Sequence, residues 1–212
     1  MTSPADRFLA GKKAQARARL IFALDATASR QPTWDMAVHL QRDMFRSAEN
    51  AGQVDVQLVY YRDLHECRSS RWMPASGLTA AMQKILCVAG ETQIGKILTH
   101  VINENQELPV NALIFVGDAC EESPDSLITR ASVMGTPAFM FQEGRDRDVE
   151  NVFRAIAAAS KGAYARFDSS AARQLADLLK AVLAFVVGGV DALAARKDEA
   201  SIRLLGQLKP GA

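Results

Sequence analysis

Two dense apolar runs, each ending in an aspartate, constrain the fold most strongly. The run RLIFALD ends at Asp25, and the run NALIFVGD ends at Asp118. Apolar residues without alternation are typical of strands that are buried on both faces of a parallel sheet. We therefore expect both aspartates at the carboxyl ends of central strands, where an open parallel sheet binds its ligands.

The remaining segments alternate between strand and helix patterns. VDVQLVYYR, TPAFMFQEG and AYARFD are predicted strands, and HECRSSRW is predicted to return beside the first of them as an antiparallel edge strand. Helices are predicted at residues 34–50, 78–88, 94–105, 123–135 and 148–162, and from Ala171 onward. This alternation predicts a three-layer α/β fold with a central, mostly parallel six-stranded sheet and helices on both faces.

Charge and composition argue against several classes of partner. Lys and Arg total 25 against 24 Asp and Glu, so we expect no surface that attracts nucleic acid or an anionic membrane. The segment before the first strand lacks the continuous apolar core of a secretory signal. The apolar stretch 178–193 contains Lys180 and Asp191, which predicts a core helix and no membrane span. Three widely spaced cysteines fit reduced thiols, and we expect a cytoplasmic protein.

The chain is predicted to contain one domain with an extension at each end. Residues 1–18 are a basic N-terminal lead, residues 19–187 form the α/β domain, and residues 188–212 form a C-terminal helical extension and tail. The extension carries an apolar cluster that is predicted to dock on the domain or, as the second option, on another chain. This cluster consists of Ile202, Leu204, Leu205 and Leu208.

Hard oxygen donors accompany both aspartates. If the strands that end at Asp25 and Asp118 are neighbours, their carboxylates meet at one edge, and two anions there need a cation. Thr27 and Ser29 add hydroxyls at alternating positions of the loop after Asp25. Carboxylate, hydroxyl and water oxygens are the ligands that Mg²⁺ or Mn²⁺ prefers, whereas Ca²⁺ usually takes more carboxylates.

Three motifs in this order resemble the metal-ion-dependent adhesion site (MIDAS) of von Willebrand factor A (VWA) domains. Asp25-Ala26-Thr27-Ala28-Ser29 resembles the family's Asp-x-Ser-x-Ser motif, and Gly90-Glu91-Thr92 resembles its second element. LIFVGDAC resembles the third element, with Gly117 at the position where the family usually has threonine. The resemblance covers residues 19–187 through the order of strands and helices, and it implies the Rossmann-like VWA fold.

The resemblance also implies a set of metal ligands and a kind of partner. Thr27, Ser29 and either Thr92 or Asp118 would contact Mg²⁺ or Mn²⁺, and Asp25 would act largely through water. A cation held mainly by hydroxyls keeps much of its charge, so the open sixth position would bind an acidic side chain of a partner protein. Intracellular members of the family often work with an ATPase or another multiprotein assembly, and no catalysis is expected.

The two glutamates that follow the Asp118 loop lead to a further hypothesis. Glu121 and Glu122 are close enough in sequence to compete for the open metal position or to repel an acidic partner.

Two other interpretations stay open at this point. Gly90–Lys96 fits the first seven positions of a phosphate-binding P-loop, with KILCVA before it taken as a strand, which would make the chain a nucleoside triphosphatase. Ile97 stands at the eighth position, where a P-loop needs a hydroxyl. Alternatively, the hydroxyl residues of the motifs have only loop and capping roles in a metal-free VWA scaffold.

Overall fold

A computed structural model of the protein describes residues 17–28, 54–168 and 172–208. The strands in these ranges are β1 (Ala18–Asp25), β2 (Val54–Arg62), β3 (Glu66–Ser69), β4 (Met73–Pro74), β5 (Ala112–Gly117), β6 (Ala138–Glu143) and β7 (Ala163–Phe167). The α-helices are α1 (Leu78–Met82), α2 (Ile94–Glu107), α3 (Pro124–Val133), α4 (Arg147–Ala159), α5 (Ala172–Ala195) and α6 (Glu199–Leu208). The predicted alternation is confirmed over these ranges, whereas the helix predicted at residues 34–50 lies outside them.

The described strands form one sheet in the order β3-β2-β1-β5-β6-β7, with β4 also paired to β2. The five strands from β2 to β7 along this order are parallel, and β3 and β4 run antiparallel to β2. The predicted antiparallel edge strand is confirmed, but the two-residue β4 brings the sheet to seven strands instead of the predicted six. Because β1 and β5 are neighbours, Asp25 and Asp118 leave the sheet at the same edge.

Both faces of the sheet are covered because its central strands are apolar on both sides. Every residue of β5 is buried, which explains why its sequence shows no alternation. On one face Phe22 and Phe139 pack with α1, α5 and α6. On the other face Phe115 and Met140 pack with α2, α3 and α4. The described residues therefore form three layers, as predicted.

The helix predicted at residues 78–88 is shorter than expected. Helix α1 ends at Met82, and residues 85–93 form neither helix nor strand. The apolar residues of this segment alternate instead of sharing one helical face: Ile85 and Cys87 pack against the core, whereas Leu86 is 70% exposed and Val88 is 42% exposed. The prediction over residues 83–88 was therefore wrong.

The segment 85–93 instead crosses the carboxyl ends of β1 and β2. The N–H of Val88 donates to the carbonyl oxygen of Ala26 at 3.0 Å. Gly90 lies against the backbone of Asp63, where an added β-carbon would be 2.4 Å from the Asp63 nitrogen. This close approach requires glycine, and it carries the segment that ends in Thr92 to the sheet edge at which Asp25 lies.

Helix α5 has the length and composition of a membrane-crossing helix, yet its inner face packs on the sheet. By length and mean hydropathy (2.0) alone, Arg173–Ala195 would qualify as a span. Leu179 and Val182 are fully buried in the core, and the backbone is non-helical at Gly188 and Gly189. The prediction of a core helix is confirmed for this inner face, and the absence of a membrane span stays a prediction.

The C-terminal helix α6 docks on the domain. Leu204 is fully buried, and Leu205 and Leu208 pack against the same core, whereas Ile202 is 60% exposed. The side-chain amide of Gln207 also accepts from the N–H of Tyr164 and donates to its carbonyl oxygen, both at 2.9 Å. Gln207 therefore satisfies the outer edge of β7 as a neighbouring strand would. The predicted domain boundaries themselves stay predictions.

Candidate metal centre

Asp25 is a buried carboxylate whose two oxygens both accept hydrogen bonds. Oδ1 accepts from the backbone N–H of Thr27 at 2.8 Å, and Oδ2 accepts from the Tyr61 hydroxyl at 2.9 Å. Tyr61 is the neighbour of Asp25 in the β1–β2 register. Asp25 is 2% exposed, and this burial raises the pKa of its carboxyl. The hydrogen bonds from Thr27 and Tyr61 oppose that rise, and the nearby charge of Asp118 adds to it.

Asp118 has a buried oxygen atom without a hydrogen-bond partner among the described residues. Its Oδ1 is buried and accepts no hydrogen bond from any residue that the structure describes. Leu24 and Val116 are partners in the parallel β1–β5 register, so the two aspartates that follow lie at neighbouring strand ends. A buried acceptor without a donor costs about 1–3 kcal/mol, which a cation or a water molecule would offset. The structure thus brings both aspartates to one edge, and their role as ligands stays a prediction.

Thr27 lies in the turn that follows β1. It is 8% exposed, and its hydroxyl also hydrogen-bonds to Asp25. The N–H of Ala26 donates to the carbonyl oxygen of Tyr61 at 2.9 Å, so the start of this turn is fixed to β2. Ser29, the next predicted ligand, lies outside the described residues.

Thr92 is held by the loop that follows Asp118. Its N–H donates to Oε2 of Glu121 at 2.8 Å, and its Oγ1 accepts from the N–H of Glu121 at 3.0 Å. Glu122 accepts from the N–H groups of Ile94 and Gly95 at the start of α2. Burial raises the pKa of Glu122, and these two backbone hydrogen bonds act in the opposite direction. Both glutamates are thus engaged with the Thr92 segment, and whether they also compete for a metal position or repel an acidic partner stays a hypothesis.

The oxygen atoms available at this edge are suitable ligands for a hard cation. No group of three or more His, Cys, Asp or Glu side chains suited to a metal occurs among the described residues. The edge offers two carboxylates, Asp25 and Asp118, together with the hydroxyls of Thr27 and Thr92. Such a set suits Mg²⁺ or Mn²⁺ with several retained waters, and the unpartnered Asp118 oxygen is the atom that most lacks such a charge.

The P-loop interpretation finds no support in the fold. No strand precedes Gly90, because residues 83–93 form turns and irregular chain. The ammonium group of Lys96 donates to Oε1 of Gln93 at 2.7 Å and to the carbonyl oxygen of His65 at 3.2 Å. A P-loop needs a strand before its glycines and a lysine that turns toward the phosphates.

Two residues that contribute to this centre were not identified from the sequence. Tyr61 was assigned only to a strand, although its place at the end of β2 would have put it beside Asp25. The contact of Glu121 with Thr92 was not foreseen, because it joins segments 29 residues apart. No local sequence pattern reports such a contact.

A sizeable concavity of the described surface lies elsewhere. It has a volume of about 640 Å³, runs along α2, and is lined by residues that include Arg68, Lys96 and Arg130. None of the predicted metal ligands lines it. A metal centre at a sheet edge needs no deep cavity, so the donor chemistry at Asp25 and Asp118 is the stronger guide to the site.

Comparison with solved structures identifies the fold. The chain superposes on the pilus adhesin SpaC from Lactobacillus rhamnosus GG with a TM-score of 0.66 at 10% identity, covering 83% of this chain and 31% of the adhesin. It superposes on a von Willebrand factor type A protein from Catenulispora acidiphila with a TM-score of 0.63 at 14% identity, covering 82% and 43%. For the SpRpn10 VWA domain the TM-score is 0.53 at 12% identity, covering 76% and 95%.

These similarities establish a VWA-like fold for the described part of the chain. The chain spans less than half the length of the first two structures, and the identities are too low to carry function. No protein-family model matches the sequence. No curated protein matches it either.

Proposed function

We propose that this chain is a metal-dependent protein-binding module of the VWA type, which captures an acidic side chain of a partner through Mg²⁺ or Mn²⁺. The observation that carries the proposal is the buried Oδ1 of Asp118, which has no hydrogen-bond partner in the described part of the chain, at the strand end next to the buried carboxylate of Asp25. A pair of close carboxylates is unfavourable without a compensating charge. VWA domains generally mediate protein–protein interactions, which agrees with this use of the fold.

The residues would divide the work according to their hydrogen bonds. Asp25 already accepts at both oxygens, so it suits an outer position in which it orients metal-bound water. Thr27, Ser29 and either Thr92 or Asp118 would supply the direct oxygen ligands. Because most of these donors are neutral, the bound cation would retain charge with which to attract a carboxylate of the partner.

The wider setting follows from the same proposal. An acidic partner belonging to an ATPase or another multiprotein assembly in the cytoplasm would suit an adaptor of this kind. We expect no nucleic-acid partner, because the formal net charge is only +1.

Calorimetric titration with MgCl₂ and MnCl₂ tests the metal centre. We expect the wild-type protein to bind one ion and Asp118→Ala to lose that binding. Asp125→Ala is the matched control, because Asp125 is an exposed aspartate in the first turn of α3. Lys96→Ala should also bind normally, since the proposed centre does not use its ammonium group.

Capture from cell extract then tests the partner. Proteins bound by the wild type in Mg²⁺ should be lost with chelator and with Asp118→Ala, and retained by Asp125→Ala. Recovery of the same proteins in every condition would instead support a metal-free VWA scaffold.

A further inference from the structure

Two consecutive glutamates, Glu121 and Glu122, join the two loops that carry Asp118 and Thr92. Glu121 makes a reciprocal pair with Thr92: its carboxylate accepts from the Thr92 N–H, and its own N–H donates to Thr92 Oγ1. Glu122 accepts from the N–H groups of Ile94 and Gly95. We call these contacts the Glu121–Glu122 clasp.

The clasp replaces the cap that a helix normally obtains from its own sequence. Gln93, which immediately precedes α2, makes no side-chain cap, and the first turn of α2 contains no acidic residue. The free N–H groups of this turn are satisfied from the Asp118 loop instead. Gly95 permits the approach, because a β-carbon at this position would lie 2.9 Å from Oε1 of Glu122.

We infer that the Glu121–Glu122 clasp fixes Thr92 relative to Asp118 before an ion binds, so that metal affinity depends on two glutamates that do not touch the metal. This inference rests on the proposed function. Ordering two separate loops around an ion would lose conformational entropy when the ion binds. Because the clasp orders the loops during folding, that loss does not weaken ion binding. Glu121 and Glu122 are positioning residues in this scheme.

Amide hydrogen exchange in chelator tests the clasp without any metal. Glu121→Ala should accelerate exchange at Thr92, and Glu122→Ala should accelerate it at Ile94 and Gly95, each by about tenfold, as expected for one lost charge-assisted hydrogen bond. The control is Glu107→Ala, an exposed glutamate at the far end of α2. Unchanged exchange in the two clasp variants would overturn the inference.

Calorimetric titration of the same variants with Mg²⁺ tests the connection to the ion. We expect Glu121→Ala to weaken binding about tenfold, and Glu121→Gln, which keeps the acceptor but not the charge, to bind nearly as well as wild type. Equal losses in both variants would show that the Glu121 charge attracts the ion and would overturn a positioning role. Faster exchange with unchanged Mg²⁺ affinity would also overturn it.

The failure of the proposed function has a different signature. A wild-type protein that binds no Mg²⁺, while its Thr92 and Gly95 amides are protected, would refute the metal centre. The clasp would then stabilise only the fold, and its proposed effect on ion binding would be refuted together with the metal centre.

Discussion

Asp25 and Asp118 are both proposed to help hold the metal ion, but substitution of the two residues should change the stability of the metal-free protein in opposite directions. Asp25 supports the fold because its carboxylate accepts hydrogen bonds from the Thr27 N–H and the buried Tyr61 hydroxyl. Asp118 accepts no hydrogen bond from the described residues at its buried Oδ1, and its charge disfavours ionised Asp25. Without a cation, Asp118 therefore destabilises the folded protein, whereas Asp25 stabilises it.

The magnitudes follow from these contacts. Asp118→Ala removes a buried acceptor without a donor and should raise the free energy of unfolding in chelator by about 1 kcal/mol, the low end of the cost of such an atom. Asp25→Ala removes the hydrogen bonds that Thr27 and Tyr61 make to a charged acceptor and should lower the free energy of unfolding by roughly 2–4 kcal/mol. The gain is smaller than the loss because Asp118 is partly exposed, whereas Asp25 is almost fully buried.

Urea unfolding, followed by circular dichroism with EDTA and then with Mg²⁺, measures both effects. Saturation of the wild type with Mg²⁺ at 100 times Kd should add about 2.7 kcal/mol, and neither variant should gain this increment. If Asp118→Ala is destabilised in EDTA by as much as Asp25→Ala, the Asp118 carboxylate supports the fold. Its assignment as a metal ligand would then lose its basis.

Two further predictions concern regions away from the metal centre. Burial lowers the pKa of His100 below its ordinary value of 6.5, although the Glu104 carboxylate, whose Oε1 lies 3.8 Å from His100 Nε2, acts in the opposite direction. At a pH near or below 6.5 the unfolded chain therefore binds a proton more readily at this histidine than the folded protein does. Stability should fall as pH falls through and below 6.5, and urea midpoints of His100→Gln should show a smaller slope over that range. Leu204→Ala should lower the free energy of unfolding by about 2–5 kcal/mol because Leu204 is fully buried. Ile202→Ala, a matched substitution at a 60% exposed site of the same helix, should change it by less than about 1 kcal/mol.

The sequence was sufficient to predict the central part of the fold. Strands buried on both faces must be continuously apolar, so β1 and β5 stand out, and the aspartates that end them mark the edge where loops meet. The antiparallel return of β3 was likewise visible, because Asp63 and Leu64 separate two strand patterns. Each of these predictions needed only a local pattern and a general rule of α/β topology.

Features that depend on distant contacts were not visible in this way. The apolar side chains of residues 83–88 suggested a helix, but the backbone N–H of Val88 donates to the carbonyl oxygen of Ala26, and the side chain of Leu86 faces solvent. The partner of Glu121 is 29 residues away in sequence, so its acidic side chain was interpreted from charge alone. A residue's type predicts which bonds it can make, whereas the fold decides which partner is within reach.

The departure of this chain from the usual VWA pattern at Gly117 has a packing explanation that bears on the metal centre. A β-carbon at Gly117 would lie 2.8 Å from the ring of Phe115. That ring cannot move aside easily, because it is fully buried, meets Phe153 edge-on at 5.4 Å and stacks on Tyr61 at 6.3 Å. Threonine at this position would therefore require the aromatic cluster beneath the strand end to shift, and the same cluster contains the tyrosine that hydrogen-bonds to Asp25. Glycine at this position reflects how this core supports its sheet edge, and it leaves the carboxylate of Asp118 in place as a candidate metal ligand.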